Sequence, residues 1–422
     1  MDVNKAYKRT DIGVIPTDWL PTTIGRLAVK IGSGKTPAGG SARYRMYGRP
    51  FVRSQNVGWG TLLLDDLAFI DDDTHKEFLA TEVKHGDVLL NITGASIGRS
   101  AMVDARLMGG NVNQHVCIIR ASLDQADPRF INYILLSKIG QSQIDSFQAG
   151  GNREGLNFGQ VQSIQIALPP KKAEQEAIAE ALSDTDALIE SLQQLIAKKR
   201  QIKQGAMQTL LTGRDRLPGF TRGWKTKPIG QFTDCAAGGT PSTKVPSYWG
   251  GTIRWMSSGE LNLKVVADVE GRITEEGLRN SSTKIVPANC VLVGLAGQGK
   301  TRGTVARNLV PLCTNQSIAA IFPASTYVVQ YLYHNLDFRY EELRDLSAGD
   351  GGRGGLNLTI IRQIPIPFPS LEEQAAISAV LSDMDVEIAV LEARLTKTRE
   401  IKQGMMQALL TGHVRLPLST AA

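Results

Sequence analysis

The sequence predicts a mixed α/β protein in which two pseudo-symmetric α/β globules are separated by two long antiparallel coiled-coil helices. Two observations support this fold class. One segment occurs twice, from Pro170 to Pro218 and from Pro369 to Pro417, and the copies align without a gap, Gln175 over Gln374. Each copy also follows a longer block with the same order of short motifs. Internal repetition of this kind indicates a duplicated structural unit.

Each repeated segment has the apolar pattern of a helix that packs along a partner helix. The apolar residues recur at alternating steps of four and three. The predicted helix-pair seam consists of Ile178, Leu182, Ile189, Leu192 and Ile196 in the first copy and Ile377, Leu381, Met384, Ile388, Leu391 and Leu395 in the second. Acids crowd the start of each copy and bases its end, which suits the helix dipole and makes antiparallel copies complementary. Two unrelated surface helices would not share seam, caps and charge polarity together.

The helix ends carry their own signals. Ser370 followed by Glu373 predicts a capping box at the start of the second helix. Gly213 and Gly412 stand where a helix C-terminus needs a residue that tolerates positive φ. We therefore divide the chain into a first globule (1–169), a first helix (170–218), a second globule (219–368), a second helix (369–417) and a tail (418–422).

The two globules resemble each other only in a framework of short motifs. A Gly-x-Thr-Pro or Gly-Thr-Pro turn comes early in each, ending at Pro37 and at Pro241. Asn-Gln dipeptides follow at Asn113 and Asn315. Apolar runs before Asn91 and before Gly294 predict buried strands that lead into Gly-rich turns. The helices agree more closely than the globules, so we expect one shared role for the helices and two versions of another role for the globules.

Composition narrows the class of protein. With 42% hydrophobic and 21% charged residues, the chain is typical of soluble globular proteins with real cores. It contains neither a signal-peptide core nor an apolar stretch long enough to cross a bilayer, so we expect a cytoplasmic protein without membrane contact. Its cysteines are few and widely spaced, and its histidines do not fall at ligand spacing, which predicts no disulfide framework and no metal site. A net charge of +6 is compatible with a polyanionic partner.

One segment fits the nucleotide-binding pattern G-x-x-x-x-G-K-T, from Gly294 to Thr301. A P-loop-like ATP-binding protein is therefore an alternative. Such a loop must open a helix whose amides face the phosphates, whereas the chain continues into residues 302–306, which favour a strand. We expect this turn to present basic and amide side chains to a polyanion instead. A run of three acids, residues 71–73, is expected to be a solvated turn and not a metal site.

The complete pattern resembles a known family. The order of globule, helix, globule and helix, with P-x-x-x-EQ at the start of each helix and LLTG-x-x-RLP at its end, is similar to the specificity subunit of type I restriction-modification systems. The likeness covers nearly the whole chain. The first helix departs from it at Lys171 and Lys172, because the family usually has an apolar residue after the prolines.

The resemblance implies a non-catalytic, sequence-specific DNA-binding protein. Each globule would be a target-recognition domain that reads one half of a bipartite site in double-stranded DNA. The helix pair would set the gap and dock two DNA-methyltransferase (modification) subunits through exposed apolar positions such as Leu188, Leu195, Leu210 and Leu211. Restriction/translocase subunits are optional partners. No cofactor is expected on this chain, whereas S-adenosylmethionine, and ATP with magnesium, are expected on the partner subunits. The remaining alternative is a scaffold with paired helices and no DNA role.

Side chains suited to DNA contact occur in the loops of both globules. Arg and Lys contact phosphates and guanines, Asn and Gln contact adenines, and small hydroxyl residues contact either. The candidates are Lys35, Thr36, Arg43, Arg45, Arg53, Gln55, Asn56, Arg99 and Arg153 in the first globule, and Thr240, Ser242, Lys244, Arg254, Gln298, Lys300, Arg302 and Arg353 in the second. Nearby aromatic residues, Tyr44, Tyr47, Trp59, Tyr248 and Trp249, are expected to pack under these loops.

Overall fold

The chain forms two compact units. The computed structural model describes residues 6–148, 155–297, 300–346 and 355–417. The first unit contains the residues up to Ser191 and those from Arg394 onward, and the second contains Leu192 to Ala393. Each unit therefore combines one globule with the first part of one long helix and the last part of the other.

The first globule is built on a four-stranded antiparallel sheet and a three-stranded sheet. Its strands are β1 (Tyr7–Thr10), β2 (Gly13–Pro16), β3 (Leu20–Thr23), β4 (Ala28–Ser33), β5 (Arg49–Val52), β6 (Ala68–Ile70), β7 (Val88–Asn91), β8 (Ser100–Met102), β9 (Asn111–Val112), β10 (Val116–Ala121) and β11 (Gln165–Leu168). Its helices are α1 (Ile24–Leu27), α2 (Asp72–Lys76), α3 (Pro128–Leu136), α4 (Lys138–Gln148) and α5 (Phe158–Ser163), and the first long helix, α6 (Lys172–Leu210), follows.

The second globule repeats this plan. Its strands are β12 (Lys225–Pro228), β13 (Cys235–Ala237), β14 (Trp249–Met256), β15 (Val265–Val266), β16 (Arg272–Ile273), β17 (Ile285–Val286), β18 (Val291–Gly294), β19 (Val305–Asn308), β20 (Leu312–Thr314), β21 (Ile318–Ile321) and β22 (Pro365–Phe368). Its helices are α7 (Glu275–Arg279), α8 (Val329–Phe338), α9 (Tyr340–Asp345) and α10 (Leu358–Gln363), and the second long helix, α11 (Leu371–Leu409), follows.

Strand order shows how closely the globules correspond. The sheet β13-β21-β18-β19-β15 contains the counterparts of β4-β10-β7-β8 in the same order and adds one strand. In the other sheet, the parallel pair β5 and β9 has its counterpart in the parallel pair β14 and β20. The strand after each globule's last short helix pairs with an early strand, β11 with β3 and β22 with β12. The shared framework predicted from the motifs is therefore a shared fold.

Ion pairs within each unit show that the long helices pack antiparallel, as predicted. In the first unit, Lys402 Nζ of α11 lies 2.6 Å from Asp186 Oδ1 of α6. In the second unit, Lys203 Nζ of α6 lies 2.5 Å from Asp385 Oδ1 of α11. These pairs occupy matching positions of the two repeats. The acidic first part of each helix thus pairs with the basic last part of the other helix, as the charge pattern of the sequence indicated.

The predicted seam is buried near the start of each helix and at part of its middle. Its buried members are Ile178, Leu182, Leu192, Ile196, Ile377, Leu381 and Ile388, and its half-buried members are Ile189, Met384, Leu391 and Leu395. The helix starts are better covered because they also join a globule core. Ile178 and Leu182 of α6 enter the first core with Leu409 and Leu410, and the second core contains their counterparts. Thr185, a polar residue that occupies the seam position between Leu182 and Ile189, donates its hydroxyl to the Ala181 carbonyl at 2.9 Å.

The predicted exposure is wrong for two of the four apolar positions of the first repeated segment. Leu210 and Leu211 are buried in the core of the second globule, because the end of α6 packs against it. Leu188 and Leu195 are exposed by 40% and 38%, as expected.

A buried ion pair fastens the helix ends in the second unit. Glu373, at the start of α11, is 1% exposed. The Arg216 guanidinium, beyond the end of α6, donates to both of its carboxylate oxygens, at 2.5 and 2.7 Å. The Trp224 indole donates to the same carboxylate at 3.0 Å. Charge-assisted bidentate contacts are among the strongest hydrogen bonds in proteins. This arrangement explains why the sequence repeats an EQ at each helix start and an RLP after each helix end.

The first unit contains the matching contact. Arg415 donates to Glu174 at 2.8 Å and to Asp18 at 3.0 Å, and its guanidinium lies 5.8 Å from the Trp19 ring centre. We call these two arrangements the Arg–Glu clasps, one of Arg216 with Glu373 and one of Arg415 with Glu174.

The predicted helix caps are confirmed except for one contact. Gly213 and Gly412 have φ of 72° and 70°, as their positions required. Ser370 Oγ accepts from the Glu373 amide at 3.3 Å, which is the first half of a capping box. The second half is wrong, because the Glu373 carboxylate binds Arg216 and does not return to the Ser370 amide.

The glutamine of each EQ ties its helix to the adjacent globule. Gln175 accepts from the Asp127 amide at 3.0 Å, and Gln374 accepts from the Val328 amide at 2.9 Å. Both glutamines are buried. The two helix starts are therefore docked in the same way, including the first one, whose sequence departs from the family pattern.

A small polar cluster links each globule to its long helices, and the two clusters differ at one residue. In the first unit, Tyr133 donates to Asp186 at 2.9 Å and lies 3.2 Å from Ser183 Oγ. In the second unit His334 takes the place of the tyrosine. Its Nε2 lies 3.2 Å from Ser382 Oγ, and Nδ1 lies 3.9 Å from Asp385. The two clusters are equivalent except that the first contains a tyrosine where the second contains a histidine.

Removal of the clasp arginine in the second unit tests how much the Arg–Glu clasps contribute to stability. Arg216→Ala leaves a buried carboxylate with only the indole donor, and breaking a buried ion pair costs about 3–5 kcal/mol. We expect urea denaturation followed by tryptophan fluorescence to show a loss of this size. Arg214→Ala is the matched control, because Arg214 is exposed two residues away. Equal stability of the two variants would contradict the clasp.

Stability should also depend on His334. Burial, together with the charge of Lys203, lowers the pKa of His334 from 6.5 to about 4. Because the unfolded chain takes up the proton first, the free energy of unfolding is highest above pH 6.5 and falls between pH 6.5 and 4. The loss reaches about 3 kcal/mol below pH 4, where His334 is protonated in both the folded and the unfolded state. His334→Tyr, which copies the first unit, should remove this component. Parallel stability curves for the two proteins between pH 4.5 and 7.5 would contradict the prediction.

Candidate functional site

The threonine turn and the Asn-Gln turn, which recur in both globules, meet at one end of the strands of the main sheet. In the first globule, β4 ends and its antiparallel neighbour β10 begins at this end, with Ser33 opposite Cys117. The Gly34 amide donates to the Asn113 carbonyl at 3.2 Å. Beyond it, the Thr36 hydroxyl donates to Oε1 of Gln114. The turn that contains Gly34 and Thr36 and the turn that contains Asn113 and Gln114 are thus joined.

The second globule has the same pair of turns. Here the Gly239 amide donates to the Thr314 carbonyl at 2.8 Å. The Thr240 hydroxyl donates to Oε1 of Gln316 at 2.6 Å. Both threonines and both glutamines are exposed. We call Thr36 with Gln114, and Thr240 with Gln316, the Thr–Gln pairs. The candidate set contained the threonines but missed the glutamines, although the repeated Asn-Gln dipeptide was the signal for them.

Several candidates of the first globule are engaged by neighbouring acids. Arg45 lies 3.3 Å from Asp71, and Arg53 lies 3.2 Å from Asp66. Gln55 donates to the Asp66 carboxylate as well. Long-range pairing of this kind has no sequence pattern, so the candidate list could not anticipate it.

Asn56 serves the fold. Its side chain is 1% exposed, accepts from the Arg53 amide at 3.0 Å, and donates to the Leu63 carbonyl at 2.9 Å. A buried amide that is satisfied in this way has no free group to offer to a base edge.

The candidates of the second globule are distributed similarly. Arg254 pairs with Asp268 at 2.8 Å. Ser242 is exposed, and its carbonyl accepts from the Trp249 indole at 3.2 Å. Arg302 is half-buried in the turn before β19. Arg153, Gln298 and Arg353 lie outside the described residues.

Five candidate cations have no carboxylate within salt-bridge distance in the described part of the chain. They are Lys35, Arg43, Arg99, Lys244 and Lys300. All except Arg99 are exposed, and Arg99 is half-buried. Unpaired cations are the groups best suited to neutralise phosphates. Lys35 and Lys244 belong to the same loops as the Thr–Gln pairs.

The acidic run is solvent-exposed at Asp72 and Asp73, as expected, but it begins the short helix α2 and is not a turn. Asp71 caps α2, accepting from the Thr74 amide at 2.9 Å. Asp72 pairs with Arg49 at 2.8 Å, and Asp73 pairs with Lys76 at 2.9 Å. Each acid therefore has a structural contact. Among the described residues, no group of His, Cys, Asp or Glu side chains is arranged to hold a metal ion.

The described residues of the nucleotide-binding pattern lie between two antiparallel neighbouring strands. Gly294 ends β18, and Lys300 and Thr301 lead into β19, which pairs antiparallel with β18. A phosphate-binding loop must instead lead into a helix N-terminus. The local fold thus disfavours the ATP-binding alternative.

The aromatic residues near these loops divide into two groups. Tyr44 packs on Phe51 with ring centres 5.5 Å apart, and Trp249 packs on Trp255 at 5.0 Å. Tyr47 and Trp59 are 84% and 56% exposed, so the expectation that they pack under the loops is wrong. Tyr47 shares its loop with Lys35 and Arg43, and an exposed aromatic ring near cations is suited to contact a nucleic acid.

All four cysteines are buried and free. Burial raises the pKa of Cys117 and of Cys290 to about 12. These two thiols therefore stay protonated near neutral pH and are poor nucleophiles. None of the helices searched in the described ranges is long and apolar enough to span a bilayer.

Comparison with known proteins agrees with this architecture. Residues 16–200 and 221–401 match the family described as type I restriction modification DNA specificity domain. The specificity subunit of the type I restriction enzyme MjaIX from Methanocaldococcus jannaschii is 35% identical over 167 residues, which is 38% of each chain. The chain thus spans under two-fifths of that relative. The putative MjaX specificity subunit of the same organism is 23% identical over 431 residues, 97% of both chains.

The fold also matches a solved structure, the type I restriction-modification system S subunit from M. genitalium. The TM-score is 0.61 at 16% identity, covering 93% of this chain and 96% of that chain. At this identity the likeness concerns the fold alone. The family match, which covers most of the chain in two copies, establishes membership: the chain belongs to the type I restriction modification DNA specificity family.

Proposed function

We propose that this chain is the DNA-specificity subunit of a type I restriction-modification complex. Each globule is a target-recognition domain that reads one half of a bipartite site, and the paired helices set the gap between the halves. The observation that carries the proposal is the duplicated site: two globules of one fold, each with a Thr–Gln pair and, in the same loop, a lysine without a carboxylate partner among the described residues. A reader of a single continuous site would not need both copies.

The differences between the globules support two distinct half-sites. The loop between β4 and β5 contains Lys35 and Arg43, whereas the loop between β13 and β14 contains Ser242 and Lys244. Base edges are distinguished by side chains of this kind, while the framework positions them. The same fold with different loops can therefore read different sequences.

The paired helices are the proposed docking surface for two modification subunits. Leu188 and Leu195 lie seven residues apart on α6, which places them on one side of the helix, and both are exposed. The chemistry belongs to the partners: S-adenosylmethionine on the modification subunits, and ATP with magnesium on optional restriction subunits. A scaffold without a DNA role is the second candidate, but it gives no reason for unpaired cations beside equivalent turns.

The unpaired lysines should contribute to DNA affinity. Each phosphate contact that is lost reduces the slope of log affinity against log salt by about 0.9. We expect Lys35→Ala and Lys244→Ala each to weaken binding to duplex DNA with this change of slope. Lys198→Ala on α6 removes the same charge from an exposed lysine outside the globules and should retain the slope. Salt titrations of binding anisotropy measure all three.

These titrations also separate the two functions. A scaffold would show no strongly salt-dependent duplex binding by the parent chain. Equal effects at Lys35, Lys244 and Lys198 would indicate general electrostatic attraction and contradict a site in the globules.

Helix length should determine the gap between half-sites. Matched insertions of seven residues at equivalent repeat positions, after Leu195 and after Arg394, preserve the seam and lengthen each helix by about 10 Å. We expect the gap to grow by about three base pairs, since one duplex turn of about 34 Å contains about ten. Both half-site sequences should stay the same. Mapping of modified bases in a host that supplies the modification subunits measures the gap, and altered half-sites would refute the spacer role.

A further inference from the structure

We propose that the two Thr–Gln pairs are matched contacts to the DNA sugar-phosphate backbone, one in each globule, with Gln114 and Gln316 as donors. This inference rests on the proposed DNA-reading function. It adds two contact residues and assigns them to positioning on the duplex and not to base reading.

The turns that carry the glutamines are sterically fixed. A Cβ on Gly34 would lie 1.6 Å from the Val112 carbonyl oxygen, and a Cβ on Gly238 would lie 1.9 Å from the Thr314 carbonyl oxygen. No side chain fits at either position, so glycine is needed for the two turns to approach this closely. The equivalent approach in both globules places the threonine turn against the glutamine turn.

The residue before each glutamine stabilises the turn. Asn113 Oδ1 accepts from the His115 amide at 3.1 Å, and Asn315 Oδ1 accepts from the Ser317 amide at 3.1 Å. Such a side-chain contact to the amide two residues on imitates a backbone turn. The exposed glutamine at the tip is thus held by a rigid loop, which lowers the entropy lost when it binds a partner.

The threonine hydroxyl determines which end of the glutamine amide is offered outward. It donates to Oε1 in both pairs, so the acceptor is engaged and the NH2 group remains as the donor. Gln316 Nε2 has no hydrogen-bond partner in the described part of the chain, whereas Gln114 Nε2 donates one N–H to His115 Nε2 at 3.0 Å and keeps its second N–H as a donor. A positioned, exposed donor is suited to a ligand that presents acceptors, as phosphate oxygens do.

The local charge favours an anionic acceptor. Lys35 adjoins Thr36, and Lys244 is four residues after Thr240; neither has a carboxylate partner among the described residues. Cationic surroundings raise the local concentration of a polyanion. A phosphodiester is therefore a better match for the glutamine donors than a neutral acceptor.

Identity between the globules distinguishes backbone contact from base reading. The two globules are proposed to read different half-sites, and their loops differ accordingly. The Thr–Gln pairs are the same in both, so they contact a feature that both half-sites share. The sugar-phosphate backbone is that feature, and contacts to it fix the register without carrying sequence information.

Substitution of each glutamine tests the inference. With the full chain, Gln316→Ala and Gln114→Ala should each weaken binding by roughly tenfold to a hundredfold, as expected for one hydrogen bond to a charged group. The loss should be equal on a duplex that carries the mapped split target and on a scrambled duplex. Gln316→Glu, which replaces the donor by a carboxylate, should weaken binding further. Gln231→Ala, at an exposed glutamine of the same globule, is the control. Unchanged thermal unfolding confirms that the variants fold.

The outcomes separate this inference from the function on which it rests. If the parent chain fails to bind duplex DNA, the proposed function fails. If the parent chain binds and both alanine variants bind equally well, only the backbone contact is overturned. A loss confined to the split target would show base reading and would overturn it too. Equal losses on both duplexes, absent in Gln231→Ala, support it.

Discussion

The fold depends on the two Arg–Glu clasps. In each unit an arginine beyond the end of one long helix binds a buried glutamate at the start of the other, and a tryptophan covers the pair. The clasp fixes the antiparallel register of the helices where they enter the globule. The neighbouring glutamine then ties the same helix start to the globule. The buried ion pair, the apolar seam and the globule core therefore all involve the same short stretch at the start of each helix. The rest of each unit packs around this stretch.

The near-symmetry of the units is stronger in the helices than in the globules. The clasp arginine and glutamate and the glutamine of the helix start recur, while the polar cluster has Tyr133 in one unit and His334 in the other, and Arg415 alone also binds Asp18. The sheets recur in strand order, whereas the loops between strands differ in length and charge. This division of labour suits a protein in which the helices perform a common mechanical role and the loops supply specificity. Gln114 and Gln316 are the same residue in loops that otherwise differ, and this identity indicates a role common to both globules.

Much of the fold could be predicted because its signals are local and repeated. The seam, the glycine helix ends and the buried strand before Gly294 follow from periodicity and turn chemistry within short windows. Candidate DNA contacts were harder to predict, because the sequence gives the type of each residue but not the residues that it pairs with in the fold. Arg45, Arg53 and Arg254 pair with acids elsewhere in the chain, and Asn56 is buried. Leu210 and Leu211 follow the helical pattern of an exposed shoulder, yet a globule covers them, which only tertiary structure decides.

The central claim is that each globule independently reads one half of a split target. Its most direct test replaces residues 219–368 by the corresponding segment of a family member, followed by mapping of modified bases in a host that supplies the modification subunits. The account predicts that one half-site changes while the other half-site and the gap are retained. A simultaneous change of both half-sites would contradict it.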